Sequence, residues 1–520
     1  MKVMKQPVVL LSALAMLASC GGSAPAESSR PTGLSTPAAS SQPATTSSAA
    51  AQTSSAAVSS AADFPDNVTI SFWSTGSQGM NDQITELAEE FENAVKVNLN
   101  RTVKVNLTVE GGYDDIERKL ITGLADGTLP NMAVAYPDTV ANIIGQEPAG
   151  KQYVYDIDPY MDSPVYGFST QGWLGDTRQA KKTDIVPAFL DEGTHYSRSG
   201  TYSYPFMKSS EVMFYNKDYV EAAYRFYKPE VTGADNIHKD LAAMDWGEFE
   251  NLLTVVMDHK DDINDQLEYA AFYDSDSNWF ISQMYQSGTP YTSIKDGKGS
   301  IDFQDGDARK ATEDMLDGFK ALYADKRINT KGLTNQYGSN FFKDEKILFS
   351  IGSSGGTGYQ MPPGLDPSDI DIVPVPAVDG NLSYVSQGPT ITFIKNPTQS
   401  DAVNDAQMLY SWMFAKFLTN TENNALLCVR GSQGYVPIRY SSYETETFID
   451  TLTANTLYAK SGTVMIQEIA GHYYNAPVFK GSAELRDLVG AAAVSVMKNE
   501  KTAKQALKDA IDTALNAMAD

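Results

Sequence analysis

Apolar and polar residues alternate in two stretches near the start of the folded part of the chain. Val68, Ile70 and Phe72 alternate with Thr69 and Ser71, and Val103, Val105, Leu107 and Val109 alternate with polar neighbours. A period of two predicts a half-buried strand at each. Between them Ile84, Leu87, Ala88 and Phe91 recur at helical spacing, with Asn81 placed to cap that helix. Gly111-Gly112 predicts a turn into a second helix carrying Ile116, Leu120 and Leu124. Asn131-Met132-Ala133-Val134-Ala135 predicts a short strand buried on both faces. The opening reads β-α-β-α-β, the unit of an open parallel sheet, in which ligands bind outside the carboxyl ends of the strands.

The same two periods recur further on. Ser210 to Tyr215, Ile347 to Ile351 and Ile391 to Ile394 read as strands. Trp246, Phe249, Leu252, Leu253 and Val256 mark a helix, as do Met408, Trp412, Ala415, Phe417 and Leu418. Leu507, Ile511, Ala514, Leu515 and Met518 give a last helix over Thr502 to Ala519. Asp274, Asp276 and Asn278 predict a turn ahead of Trp279. Asp302, Asp305, Gly306 and Asp307 predict a solvated turn, without the register or closing Glu of a calcium loop.

The N-terminal residues follow another pattern. Met1 to Lys5 is basic, Val8 to Leu17 is apolar, and Leu17-Ala18-Ser19-Cys20 closes the run. That order predicts a secretory signal peptide over 1–20, too short to span a bilayer. A cysteine directly after small residues resembles the bacterial lipobox. The resemblance implies that Cys20 is lipidated and holds the protein at the extracytoplasmic face of the cell membrane. An ordinary signal with an incidental Cys20 is the other reading. Residues 21–63, mostly Ser, Ala, Thr, Pro and Gln, cannot build a core and predict a disordered tether.

Composition narrows the class. Of 520 residues, 40 are basic and 65 acidic, a formal charge of −25. Nucleic acid is excluded as a partner, because it needs a basic patch. Most of the acids read as surface solvation. With Cys20 lipidated, Cys428 is the only thiol left, so no intramolecular disulfide forms; within Ala425 to Val429 it reads as a small buried apolar residue. No dinucleotide or Walker fingerprint occurs, and no pair among His195, His238, His259 and His472 has helical ligand spacing. Neither cofactor nor metal is expected.

Several segments, in order, resemble one family. They are Phe72-Trp73-Ser74, Leu129-Pro130-Asn131-Met132, Tyr204-Pro205-Phe206 with Tyr215-Asn216-Lys217-Asp218, and Asp245-Trp246-Gly247-Glu248-Phe249. Gly352-Ser353-Ser354-Gly355, Gly434-Tyr435-Val436-Pro437-Ile438 and Gly481-Ser482 to Arg486 complete the set. Together they resemble the extracellular solute-binding proteins of ABC importers, carbohydrate group. The resemblance implies an α/β fold of the periplasmic-binding-protein kind (type II), two lobes joined by a hinge with crossing strands. It implies one lobe over 66–208 and 372–420 and another over 209–371 and 421–520. It further implies a monomer that captures a small solute, closes on it by hinge motion, and delivers it to permease subunits without chemistry.

The nearest likeness within the family is to binders of glycerol 3-phosphate and its diesters. Their ligand tyrosine falls on Tyr113, their pocket acid near Asp138 with the register off by one, and their hinge serine in the Ser209-Ser210 region. Their stacking tryptophan falls on Trp279, their serine loop on Ser353-Ser354, their glycine on Gly388 and their second tyrosine on Tyr435. Their phosphate-side arginine is replaced by Lys480, a point charge without the bidentate fork. Sugar binders use the same loops, so carbohydrate leads and glycerol phosphate follows.

The chemistry of a sugar fits such a set. Rings cover its C–H faces, and carboxylates or amides take its hydroxyls. Trp73, Tyr113, Trp279 and Tyr435 are the ring candidates, with core packing the alternative for each. Asp138 is a hydroxyl acceptor or a helix cap. The loop after the strand at 347–351 holds an anion or hydroxyl on its backbone N–H groups, or is a plain turn. The same residues match G-x-S-x-G, the nucleophile elbow of a hydrolase, with Ser354 as nucleophile, Asp371 or Asp379 as orienter and His472 as base. No HGGG-type segment accompanies it.

Overall fold

The computed structural model describes residues 64–168, 181–431 and 434–519. These residues all belong to one compact unit, Ala56–Asp520. Cys20 and the 21–63 segment lie outside the described residues.

The chain first lays down β1 (Val68–Ser74), β2 (Val103–Val109), β3 (Met132–Ala135) and β4 (Tyr204–Pro205). It then forms β5 (Glu211–Asn216), β6 (Ala271–Tyr273), the hairpin β7 (Thr292–Lys295) and β8 (Lys298–Ile301), β9 (Ile328–Thr330), β10 (Phe349–Ser353) and β11 (Ile370–Pro374). β12 (Tyr384–Val385) leads into β13 (Thr390–Phe393), and β14 (Tyr473–Tyr474) pairs with β12. Two five-stranded sheets result, ordered β2-β1-β3-β13-β4 and β11-β5-β10-β6-β9. Each is the floor of one lobe.

β1, β2 and β3 are parallel, as the opening pattern predicts. β13 comes back from the second lobe and inserts antiparallel between β3 and β4. In the second sheet β6, β9 and β10 are parallel, whereas β5 runs antiparallel to β10 and β11. The fold is mixed α/β with two sheet-containing lobes, of the type II periplasmic-binding kind. β11 keeps pairing with β5 as far as Pro374, and Gly431 accepts from Ser77 Oγ on the first lobe at 2.8 Å.

Three segments cross between the lobes and are stitched side by side. Lys208 exchanges backbone hydrogen bonds with Val436 (3.0 and 2.8 Å), and Ser209 with Gln387 (2.9 and 2.9 Å). Lys208 is fully buried there, its ammonium 2.6 Å from Glu192. Gly388 sits at φ +105°, where an added Cβ would lie 2.3 Å from the Met207 carbonyl oxygen. Only glycine allows that approach.

Two local expectations shift. The first helix begins at Gln78 with Ser77 as its cap, the hydroxyl accepting from Met80 N–H. Asn81 is one turn inside, its amide returning a hydrogen bond to the Ser77 carbonyl at 3.0 Å. Ser275 caps a helix over Asp276–Ser287, so Trp279 stands on that helix rather than after a turn. The expected buried apolar character of Cys428 holds, with burial pushing its thiol pKa up.

Candidate functional site

A cleft of about 790 Å³ opens where the two sheets and the crossing segments meet. The first lobe contributes Tyr136, Pro137 and Asp138, which follow the carboxyl end of β3, and Glu192. The crossings contribute Ser209, Val385, Ser386, Gln387 and Tyr435. From the second lobe, Asp274 and Ser275 follow β6, Lys331 follows β9, Ser353 ends β10, and Gly356, Tyr359 and Gln360 follow it. Asn278, Tyr474, Asn475 and Arg486 complete that wall. Strand ends supply much of the lining because a parallel sheet leaves its carboxyl ends, and the loops after them, facing one way.

Rings and polar groups are interleaved. Tyr136 lies against Tyr113, ring centroids 4.4 Å apart. Tyr474 stacks on Tyr285 at 4.1 Å, 11° from parallel, and its hydroxyl shares a 3.0 Å hydrogen bond with Ser282. Tyr435 packs over Gly355, where a side chain's Cβ would come within 2.9 Å of the ring. Burial raises the phenol pKa of Tyr136, Tyr435 and Tyr474, so all three stay protonated.

A buried polar chain supports the floor. The Arg486 guanidinium donates to Asn278 Oδ1, Asn278 Nδ2 donates to Glu211 Oε1 at 2.8 Å, and the Tyr273 hydroxyl donates to Glu211 Oε2 at 2.5 Å. Burial pushes the Glu211 carboxyl up to about 7 against those hydrogen bonds. Burial likewise raises Asp274 to about 6, although Gly338 N–H donates to it at 2.6 Å. Asp138 is raised by burial, with Arg486 from the facing lobe pulling the other way. Four buried oxygens on lining residues have no protein partner: Ser386 Oγ, Gln387 Oε1, Gln360 Oε1 and Asn475 Oδ1. Unsatisfied buried acceptors are rare and costly. Twelve more unpartnered buried polar atoms lie elsewhere among the described residues, but these four share one cleft that a polar ligand can enter.

The structure brings Asp138, Ser209, Ser353 and Tyr435 together in this cleft. Asp138 is in the first turn of the Pro137–Gln146 helix, two places beyond the cap Tyr136. Tyr113 stands behind Tyr136. The other candidates are elsewhere. Trp73 is on β1 and packs against the core. Trp279 is 1 % exposed and stacks on Phe319 at 3.7 Å inside the second lobe. Ser210 is buried, donating its hydroxyl to the Val385 carbonyl at 2.8 Å. Gly388 shapes the crossing rather than the lining. Lys480 lays its stem on Gly145 of the first lobe, and the cations that line the cleft are Arg486, Lys331 and Lys343.

The hydrolase constellation does not assemble. Ser354 is fully buried, accepting from Ser210 N–H at 3.4 Å and donating its own N–H to the Ser210 carbonyl at 2.8 Å. Asp371 pairs with His238 at 3.3 Å, and the His472 side chain is exposed. The loop instead joins two crossing segments. Among the described residues no group of three or more His, Cys, Asp or Glu is arranged to hold a metal ion.

Sequence reasoning missed Tyr136, Glu211, Asn278, Gln387, Tyr474 and Arg486. Tyr136 and Arg486 stand in segments that it singled out, Tyr136-Pro137-Asp138 and Gly481 to Arg486, but on neighbouring positions. Asn278 stands in the segment named ahead of Trp279 and Glu211 in the strand predicted at Ser210 to Tyr215; Gln387 and Tyr474 carry no local signal, because long-range pairing brings them in.

A two-lobed α/β body with a ringed polar cleft between its sheets defines a binding protein for a small polar solute. The chain belongs to the bacterial extracellular solute-binding protein family, whose model matches residues 86–456. No curated protein sequence matches it. Among solved structures, it is similar to the ABC substrate-binding protein Lmo0181 from Listeria monocytogenes in complex with cycloalternan. That likeness has a TM-score of 0.63 at 16% identity, covering 87% of this chain and 100% of that one. The GacH receptor of Streptomyces glaucescens, known with acarbose, gives 0.60 at 16% identity over 87% and 98%. UgpB from Mycobacterium tuberculosis with glycerophosphocholine gives 0.60 at 16% identity over 87% and 98%. At these identities the likeness is one of fold. Among the described residues no helix is long and apolar enough to cross a membrane.

Proposed function

We propose that this protein is the carbohydrate receptor of an ABC importer, held outside the cell by a lipid on Cys20. It binds its cargo without catalysis, closes on it, and hands it to permease subunits as a monomer. The observation that carries the carbohydrate reading is the cleft itself. It offers tyrosine rings for the C–H faces of a sugar and unpaired buried oxygens, from both the crossings and the second lobe, for its hydroxyls. In this reading Tyr136, Tyr435 and Tyr474 contact the sugar faces. Ser386, Gln387 and Asn475 take hydroxyls, and Asp138 and Arg486 meet the ligand from opposite lobes. Closure follows because only the closed form lets both lobes bind at once.

Four carboxylates line the cleft against Arg486, Lys331 and Lys343. The unpaired oxygens of the cleft favour a cargo rich in hydroxyls over glycerol phosphate. Calorimetry on the purified full chain, with neutral oligosaccharides in one arm and glycerophosphodiesters in the other, separates the two. Heat from saccharides supports the proposal; heat from glycerophosphodiesters alone transfers it to the second cargo. The anchor is tested separately: Cys20→Ala should release the protein from the membrane fraction, and unchanged retention would refute lipidation there.

A further inference from the structure

Resting on the carbohydrate reading, we propose that the outer second-lobe wing of the cleft is a subsite for a sugar unit bearing an anionic group, so that the cargo is an acidic oligosaccharide. The wing is built from the segment after β9, the short helix Gly338–Lys343 and the turn after β10.

Lys331 and Lys343 both line it, and neither is ion-paired with a described acidic residue. Some lysines on the same lobe are paired, Lys295 with Asp302 and Lys310 with Asp314, each at 2.8 Å, and others such as Lys298 and Lys326 are not; what sets Lys331 and Lys343 apart is their place in the cleft. The cleft carboxylates, by contrast, are mostly engaged. Glu192 holds Lys208 at 2.6 Å, Glu211 accepts from Tyr273 and Asn278, and Asp274 accepts from Gly338 N–H at 2.6 Å. Lys331 is within electrostatic reach of Asp274 and Asp276, yet neither wing lysine is neutralised by a direct ion pair with a described residue.

Two further observations point to a ligand at the same place. Gln360 is 2 % exposed, lines the cleft, and its Oε1 has no protein partner. An acceptor buried in that way is a hydroxyl site waiting to be filled. Tyr337 and Tyr359 also line the wing, yet they are 53 % and 69 % exposed. Exposed rings at a cleft mouth are platforms for the face of a sugar unit that extends beyond the enclosed floor. The Lys331 ammonium stands 4.0 Å from the Tyr337 ring centroid, so ring and charge are presented together. The chain's charge of −25 repels anions at long range. A local pair of lysines without direct ion pairs is what an anionic cargo needs to bind such a body.

The shared chemistry is a sugar-borne anion, a uronate carboxylate or a phosphate ester, and the test carries both. Calorimetry on the purified full chain compares maltotriose, trigalacturonate and a singly phosphorylated maltotriose at low salt. The expected result is that at least one anionic sugar binds about tenfold or more tighter than maltotriose, the size of one charge-assisted hydrogen bond. That preference should shrink as salt is raised. In K331Q/K343Q, checked for an unchanged melting temperature, the anionic-to-neutral ratio should fall towards one. Equal affinity for all three sugars, or a preference that survives in the double variant, overturns the subsite and leaves the carbohydrate reading standing. Heat from no saccharide removes the carbohydrate reading as well.

Discussion

Glu211 should make the folded protein less stable as pH rises, and Glu211→Gln should remove that dependence. The carboxyl is 4 % exposed and its pKa is pushed up from 4.5 to about 7 by burial. The folded state therefore holds a proton that the unfolded chain has released between those values. The group's contribution is most favourable below pH 4.5 and is lost as pH climbs to 7 and beyond. A shift of that size corresponds to roughly 3 kcal/mol at pH 8, at about 1.4 kcal/mol per unit. With an unfolding entropy of about 2.1 cal/mol/K per residue, a body this large loses about 3 °C of melting temperature for that amount. Glutamine keeps the shape and stays neutral. Its oxygen can still accept from Asn278, and its amide can donate to the Tyr273 oxygen. The assay is a set of melting curves for both proteins from pH 5 to pH 8.5, read as the difference between them. Titrating groups that do not interact with Glu211 cancel in that difference. The variant should gain on the wild type by about 3 °C across the range; a difference that stays flat with pH would refute the reasoning.

Three further outcomes follow from the crossings and the core. Gly388→Ala should cost at least about 2 kcal/mol, since its Cβ would fall 2.3 Å from the Met207 carbonyl at a positive φ; thermal melting reads it. Lys208→Ala should cost about 3–5 kcal/mol by leaving Glu192 buried without its partner, a loss that urea unfolding would detect. Trp279→Phe should lower stability by about 1–2 kcal/mol, and calorimetry should find ligand affinity within twofold of wild type, because the indole packs on Phe319 outside the cleft. A large affinity loss in Trp279→Phe would restore that residue to the ligand.

The pattern of apolar positions was enough to determine the lobe-building units. Val68 to Phe72, Val103 to Val109 and Met132 to Ala135 became the parallel strands β1, β2 and β3, because periods of two and of buried runs are set by local backbone geometry. The family's ordered segments carried the class of protein for a similar reason, each being a local signature. Even so, Lys295-Asp296-Gly297-Lys298, a turn signal lying between β7 and β8, went unread. Tertiary structure alone decided which side chains share the cleft. Gln387, Tyr435 and Glu211 meet because three segments far apart in sequence cross beside one another, and hydrogen bonding between Ser209 and Gln387 has no sequence periodicity. Trp279 shows the limit from the other side. A tryptophan's size makes it a good ring for a ligand and an equally good plug for a core, and only the packing of Phe319 against it settled the choice.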